Sequence, residues 1–283
     1  MSAWPKVQNE PRGKRPKVWC RAPDGGLWLR KEPARSPEPA IEALALRLAE
    51  SVGLPAPSSF PCTWTDNGTL RKGIVIRSFL QEGVEDLSLG TEVLRAVFSD
   101  YEPQNHSHHT LERVADALRV FDPPAKVIEP FARMLTFDAW IGNGDRHQEN
   151  WGLIFAPGRI PRLAPVFDPA ACLGGELQDD HACLDVRRCT DERVEEYLRR
   201  CPSGFGIPGR KKLLLQEEVL GSLETWATWR AQCRAWVAPF ATAMDSFEVA
   251  LDGVSDEWLS RPRREFAKHL LRRRYAWLMG RLP

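Results

Sequence analysis

The stretch IGNGDRHQENWG, residues 141–152, gathers two acids, an arginine, a histidine and two asparagines around a glycine turn. Asp145 and Asn150 stand five positions apart, and a further carboxylate, Asp168, follows in PVFDPA. Two carboxylates and an amide oxygen are hard donors, suited to Mg²⁺ and poor for zinc. Phosphoryl transfer uses such a set: one Asp receives or orients the nucleophile's proton, while an Asn and a second Asp hold Mg²⁺ on the nucleotide phosphates. Read that way, Asp145 is the catalytic residue, with Asn150 and Asp168 as metal ligands. His147 then braces Asp145 by hydrogen bonding. Taken alone, the loop fits a glycine turn through Gly142, Asn143 and Gly144 with solvated acids equally well.

The same chemistry needs a cation on the phosphates, set on a strand and steadied by a helix carboxylate. LWLRKEP offers Lys31 at a strand end, with Leu27 and Leu29 on its face and Arg30 on the other. Leu29 is placed to pack on an adenine ring. The next helix offers Glu42, with Glu38 as second candidate. Singly, Lys31 also fits a solvated strand end and Glu42 a favourable charge near a helix N-terminus. Their order along the chain with the loop and Asp168 is the combined signal.

The elements that must position these residues divide at about residue 85. PKVWCRAPDGGLWLRKEP reads as a hairpin about Pro23–Gly26. A helix opens at Pro39 and ends at Gly53 and Pro55, and GIVIRSFL is a strand ending near Phe79. Helices are expected over 91–99, 110–121 and 125–141, the last so apolar that it must be central and buried. WGLIF and LAPVF read as a second hairpin, and helices rich in Trp and Arg follow residue 190. NHSHHT, with His106, His108 and His109, reads as an exposed loop before a helix start at Thr110. The expected fold is α+β, with a small β-rich lobe over 1–85 and a larger helical lobe over 86–283.

GNGDRHQENWG with LAPVFDPAACLGGEL resembles the catalytic core of the HipA-like kinases, the toxin kinases of bacterial toxin–antitoxin pairs. The DRHxxN loop is also similar to that of phosphatidylinositol 3- and 4-kinases. The resemblance covers roughly residues 11–180 and implies a bilobal protein-kinase-like fold, ATP and Mg²⁺ as cosubstrate and metal, and a Ser/Thr hydroxyl on a protein as acceptor. It implies Lys31 as the nucleotide lysine with Glu42 as its partner, and an adenine hinge near Phe79 and Leu80, running to Glu82. The phosphate loop would be PRGKRPK, where Gly13 is the sole glycine and Lys14 and Arg15 compensate with charge. The family's N-terminal subdomain is expected to be missing, and AAC (Ala170, Ala171, Cys172) replaces a polar pair after Asp168.

Formal net charge is +1, so no bulk field drives this 283-residue chain onto nucleic acid or lipid. Seven cysteines without CxxC spacing argue against a disulfide framework or a four-cysteine zinc site. With no apolar leader and no membrane-length apolar run, the expectation is a reducing, cytoplasmic setting. The basic tail RPRREFAKHLLRRRYAWLMGR reads as a packed helix with a solvated Arg face, or as a contact for nucleic acid or an acidic, antitoxin-like partner. Alternatives to a protein kinase are a small-molecule or lipid kinase and a nucleotide-binding pseudokinase or scaffold. A further alternative, a metal-dependent hydrolase using Asp145, His147, Asp168 and His181, leaves Lys31 and Glu42 without a role.

Overall fold

The computed structural model describes residues 4–10, 16–121, 126–185 and 189–282. Its N-terminal region is an antiparallel sheet of five strands: β1 (Lys6–Asn9), β2 (Lys17–Arg21), β3 (Leu27–Lys31), β4 (Ser59–Asp66) and β5 (Thr69–Arg77), in the order β1-β2-β3-β5-β4. The β2–β3 hairpin turns where Gly25 takes φ 82° and Asp24 Oδ1 accepts from the Gly26 N–H at 2.9 Å. Helix α1 (Glu38–Ser51) starts with proline in its first turn and buries its apolar side against β4 and β5. On the sheet's other face, Trp28, Trp64 and Val75 form a separate small core with Trp4 and Phe60 packed against it.

Strand β4 is not among the elements expected from the sequence, although Asp66-Asn67-Gly68-Thr69 carries a strong hairpin signal, Asn67 and Gly68 both turning with positive φ (47° and 77°). Nor is β6 (Asp86–Leu89), a short strand that binds the far side of β7 (Gly152–Phe155). The expected hairpin after the Asp145 loop is shorter than LAPVF suggested. Only Arg162–Leu163 (β8) pairs with β7, because the chain then turns toward Pro55, whose carbonyl accepts from Val166 N at 2.8 Å.

The C-terminal region is helical. α2 (Gly90–Val97), α3 (Leu111–Phe121) and α4 (Ile128–Ile141) agree with the three expected helices to within a few residues at each end. α4 runs through the main core, with Phe131, Phe137 and Trp140 wholly enclosed. Beyond it lie α5 (Asp191–Arg199), a two-stranded ribbon of β9 (Pro202–Gly206) and β10 (Leu213–Leu215), and α6 (Gln216–Leu223). α7 (Ala227–Val237), α8 (Pro239–Asp252) and α9 (Arg261–Met279) close the chain. The ribbon was not anticipated, since its strands are short and flanked by Pro and Gly.

All seven cysteines are free, and no helix among the described residues is long and apolar enough to cross a membrane. His109 corrects one expectation. It is buried, not part of an exposed loop, its Nδ1 pairing with the Gly204 carbonyl at 3.0 Å and its Nε2 accepting from Trp151 Nε1 at 3.1 Å.

Candidate active site

Strand alternation places Lys31 on the face of β3 that meets α1, and its Nζ donates to Glu42 Oε1 at 2.6 Å. The same ammonium donates to Asp168 Oδ1 at 2.8 Å, joining strand, helix and the segment after β8 at one point. Arg30 takes the opposite face and lies over the Trp64 ring, 4.7 Å from its centroid. Lys17, opposite Lys31 in the β2–β3 register, brings a second ammonium to 3.7 Å from Asp168 Oδ2. Glu38, the second candidate, instead uses Oε2 to accept from the Ala34 N–H at 2.7 Å.

Burial alone would depress the Lys31 ammonium, but Asp168 and Glu42 outweigh it and keep the group cationic. Burial would likewise raise Asp168; Lys31, then Lys17, pull it well below the ordinary carboxylate range. Glu42, almost wholly enclosed, is pushed up to about 7 by burial against the opposing pull of Lys31. Asp168 also has φ 52°, a left-handed conformation that aspartate tolerates better than most residues.

The loop after α4 begins at Gly142 (φ 64°), which caps the helix in the left-handed conformation. The Asp145 side chain is about half exposed, and His147 Nε2 stands 3.7 Å from its Oδ2, too far for the hydrogen bond expected between them. His147 Nδ1 accepts from the Glu149 N–H at 3.1 Å, which fixes the ring. Asn150 donates its Nδ2 to the Asp145 carbonyl at 2.7 Å, leaving Oδ1 as the side chain's acceptor atom.

What holds this loop was not read from the sequence. Arg146, fully buried, forms a two-pronged pair with Asp138 of α4, Nε to Oδ2 and Nη2 to Oδ1, each at 2.7 Å. Its Nη1 donates to the carbonyls of Asn150 (2.5 Å) and Phe167 (3.2 Å), tying the loop to the residue before Asp168. Asn143 Nδ2 donates to Asp138 Oδ1 at 2.9 Å, and Gln216 Nε2 donates to the Asn143 carbonyl. The signal was available: Asp138 is a lone acid in the apolar run MLTFDAWI, and a buried charge needs a partner. Strand β9 supports the loop through backbone contacts. Arg146 N donates to Ser203 O at 3.3 Å, and Gly204 (φ 85°) approaches so closely that a Cβ would lie 2.6 Å from the Arg146 backbone.

Phe79 stacks on Phe167 with centroids 5.8 Å apart, so the segment expected as the hinge reaches the residue next to Asp168. Leu29 sits opposite Trp19 and Ile76 in the sheet, and Leu80 lines an open cavity of about 440 Å³ with Trp19, Leu27 and Glu82. That cavity opens at the hinge end, and neither Lys31 nor Asp168 lines it. Gly13, Lys14 and Arg15 lie outside the described residues. Among the described residues no three His, Cys, Asp or Glu side chains cluster as a metal cage, His181 and Cys183 included. The ligands expected from the sequence, Asp168 and Asn150, offer oxygen donors only. That fits Mg²⁺, which is commonly bound by one or two protein carboxylates together with substrate phosphates.

The chain matches the family model of the HipA-like C-terminal domain over residues 10–221. A Sinorhizobium fredii protein named "Putative kinase Y4dM" is 28% identical over 176 residues, which are 58% of this chain and 42% of that protein's length. The proinflammatory kinase CtkA of Helicobacter pylori superposes with a TM-score of 0.70 at 19% identity, over 92% of this chain and 90% of that one. HipA of the Shewanella oneidensis toxin–antitoxin system, solved with HipB and operator DNA, gives a TM-score of 0.52 at 13% identity, over 97% of this chain and 63% of that one. These likenesses show the fold: a bilobal, protein-kinase-like architecture with a sheet-rich N-terminal and a helical C-terminal region.

Proposed function

The chain belongs to the HipA-like C-terminal domain family, and on that premise we propose that it transfers the γ-phosphate of ATP, with Mg²⁺, to a hydroxyl, foremost a Ser or Thr of a protein. Family and fold support a kinase function. The observation that carries the finer reading is the meeting of Lys31, Glu42 and Asp168 within 2.8 Å contacts, with Phe167, the residue before Asp168, tied to the Asp145 loop through Arg146.

In this reading Asp145 accepts a hydrogen bond from the acceptor hydroxyl, aligns it, and assists loss of its proton. Its half-exposed carboxylate is open to an incoming substrate. His147, fixed through Nδ1, limits how far that carboxylate can swing. Lys31 and Lys17 bind phosphate oxygens, and Glu42 keeps Lys31 directed into the cleft. Asn150 Oδ1 and the Asp168 carboxylate would hold Mg²⁺, which when bound neutralises charge developing on the phosphates. Asp168 is already ionised by its lysine neighbours, so no proton has to leave before it can bind metal. The backbone at Phe79 and Leu80 would border the adenine.

An antitoxin-like partner, on the pattern of the HipA–HipB complex, belongs to the same proposal. Helix α9 is a less suited surface for an acidic partner, because five of its seven Lys and Arg side chains are matched within the chain: Arg263 with Asp179, Arg264 with Asp256, Lys268 with Asp252, Arg272 with Glu248, and Arg273 with Glu195.

The test is incubation of the purified protein with γ-labelled ATP, Mg²⁺ and a cell extract. Magnesium-dependent label on a protein supports the reading, and label on small molecules only moves the acceptor to that class. Absence of both transfer and Mg²⁺-dependent nucleotide binding overturns it.

A further inference from the structure

The ribbon that braces the catalytic loop also carries a concentration of positive charge. Between β9 and β10 the chain reverses through Ile207–Lys212, closed by Ile207 N to Lys212 O at 3.3 Å and Arg210 N to Ile207 O at 3.0 Å, with Gly209 at φ 68°. The turn therefore has a defined shape. It presents Arg210, Lys211 and Lys212 in succession, all exposed. Among the described residues none of these three side chains has an acidic partner, unlike the cations of α9. The acids just beyond β10 are engaged elsewhere, Glu217 with Arg281 at 3.1 Å and Glu218 with the Leu215 N–H at 2.7 Å.

The position of this turn matters as much as its charge. Gly204 of β9 abuts the Arg146–His147 backbone, and Gly206 abuts His106 while donating its N–H to His109 O at 2.8 Å. From Gly204 to Ile207 is three strand residues, roughly 10 Å. The turn that carries the three cations thus begins roughly 10 Å along the strand from the backbone of the Asp145 loop, and the cations lie beyond that point, a span that about three to five extended residues cover.

We infer that the Arg210–Lys212 turn is an acceptor-docking element, which selects hydroxyl-bearing protein segments with carboxylates about three to five residues from the phosphorylated Ser or Thr. This rests on the kinase reading for the word acceptor, and on the geometry of the ribbon for the docking. A nucleic acid is the less suited occupant. Three cations neutralise few phosphates, no aromatic side chain occurs in the turn for base stacking, and the chain's net charge is only +1.

The experiment uses the full chain and two fluorescent peptides with one central Ser, differing only in Glu or Lys at positions three to five on either side. Anisotropy should show the acidic peptide binding about tenfold tighter at low ionic strength, the scale of three solvent-screened charge pairs. Replacing Arg210, Lys211 and Lys212 together by Ala should remove that preference and leave Mg²⁺–ATP affinity unchanged, which also reports an intact fold. Equal binding of the two peptides, or a preference that survives the triple substitution, overturns the inference. So does tighter binding of a single-stranded RNA 12-mer through the same three residues. If the acidic peptide is selected but the wild-type chain binds no nucleotide, the kinase reading fails and the docking surface stands.

Discussion

On the sheet side of the cleft, the residues proposed to act are themselves the fastening: Lys31, Glu42 and Asp168 are held by one another, at 2.6 and 2.8 Å. On the loop side the two tasks are separated. Asp145 is half exposed and Asn150 bonds to backbone, while a different pair, Asp138 and Arg146, lies buried behind them and bears the packing. A substitution on the sheet side should therefore disturb binding and local order together. On the loop side chemistry and stability should be separable, residue by residue.

The largest effect is expected where the buried pair is broken. Arg146→Ala leaves Asp138 enclosed without its cation and removes the links to Asn150 and Phe167. Urea unfolding should show a loss of about 3–5 kcal/mol, the range for a buried pair stripped of one partner. A loss below about 1 kcal/mol would mean that the loop is not braced in this way.

Next comes His109, behind the same loop. Burial lowers its pKa from 6.5 to about 4, so the unfolded chain takes up a proton before the folded one does. Its contribution to stability is thus complete above pH 6.5, declines as pH falls toward 4, and levels off below. The decline amounts to roughly 3 kcal/mol. The stability difference between wild type and His109→Gln should shrink by that order over this window. A difference that stays constant with pH would show that His109 is not held neutral.

Glu42→Gln sharpens the other half of the comparison. Measured at about pH 8, where Glu42 is mainly ionised, the variant leaves a hydrogen-bond acceptor for Lys31 but removes the charge, so Asp168 alone directs the ammonium. Calorimetry should show Mg²⁺–ATP affinity weakened by about 1–3 kcal/mol, the range for charge-assisted bonds. Unchanged affinity would detach Glu42 from the nucleotide site. The smallest effect belongs to Arg30→Ala, one residue from Lys31 but across the sheet. It should lose only the Trp64 contact, about 0.5–1 kcal/mol of stability, with nucleotide affinity intact.

How much was legible in the sequence follows the same division. Lys31, Glu42, Asp145, Asn150 and Asp168 could be singled out because reactive groups stand at spacings set by strand alternation and turn chemistry, and strand parity separated Lys31 from Arg30. The braces were harder to see. Asp138–Arg146 joins a helix to the loop eight residues on, a spacing that neither helical nor strand periodicity reports, and β9 gives only a faint local pattern because its role is close backbone approach by Gly204 and Gly206. His109 reads in the sequence as a surface residue because adjacent His106, Ser107 and His108 set a polar local context, whereas its burial is decided by Trp151 and Phe205 from distant segments. Lys17 was read with the basic loop before it, and only the β2–β3 register brings it opposite Lys31.

The most direct test of the central claim is Asp145→Asn. The variant keeps the loop's shape and its buried brace and loses only the charge proposed to align the acceptor hydroxyl. Transfer of label from γ-labelled ATP should be abolished, while Mg²⁺–ATP affinity stays within a few fold of wild type and the unfolding midpoint hardly moves. Near-native transfer by the folded, nucleotide-binding variant would contradict the account.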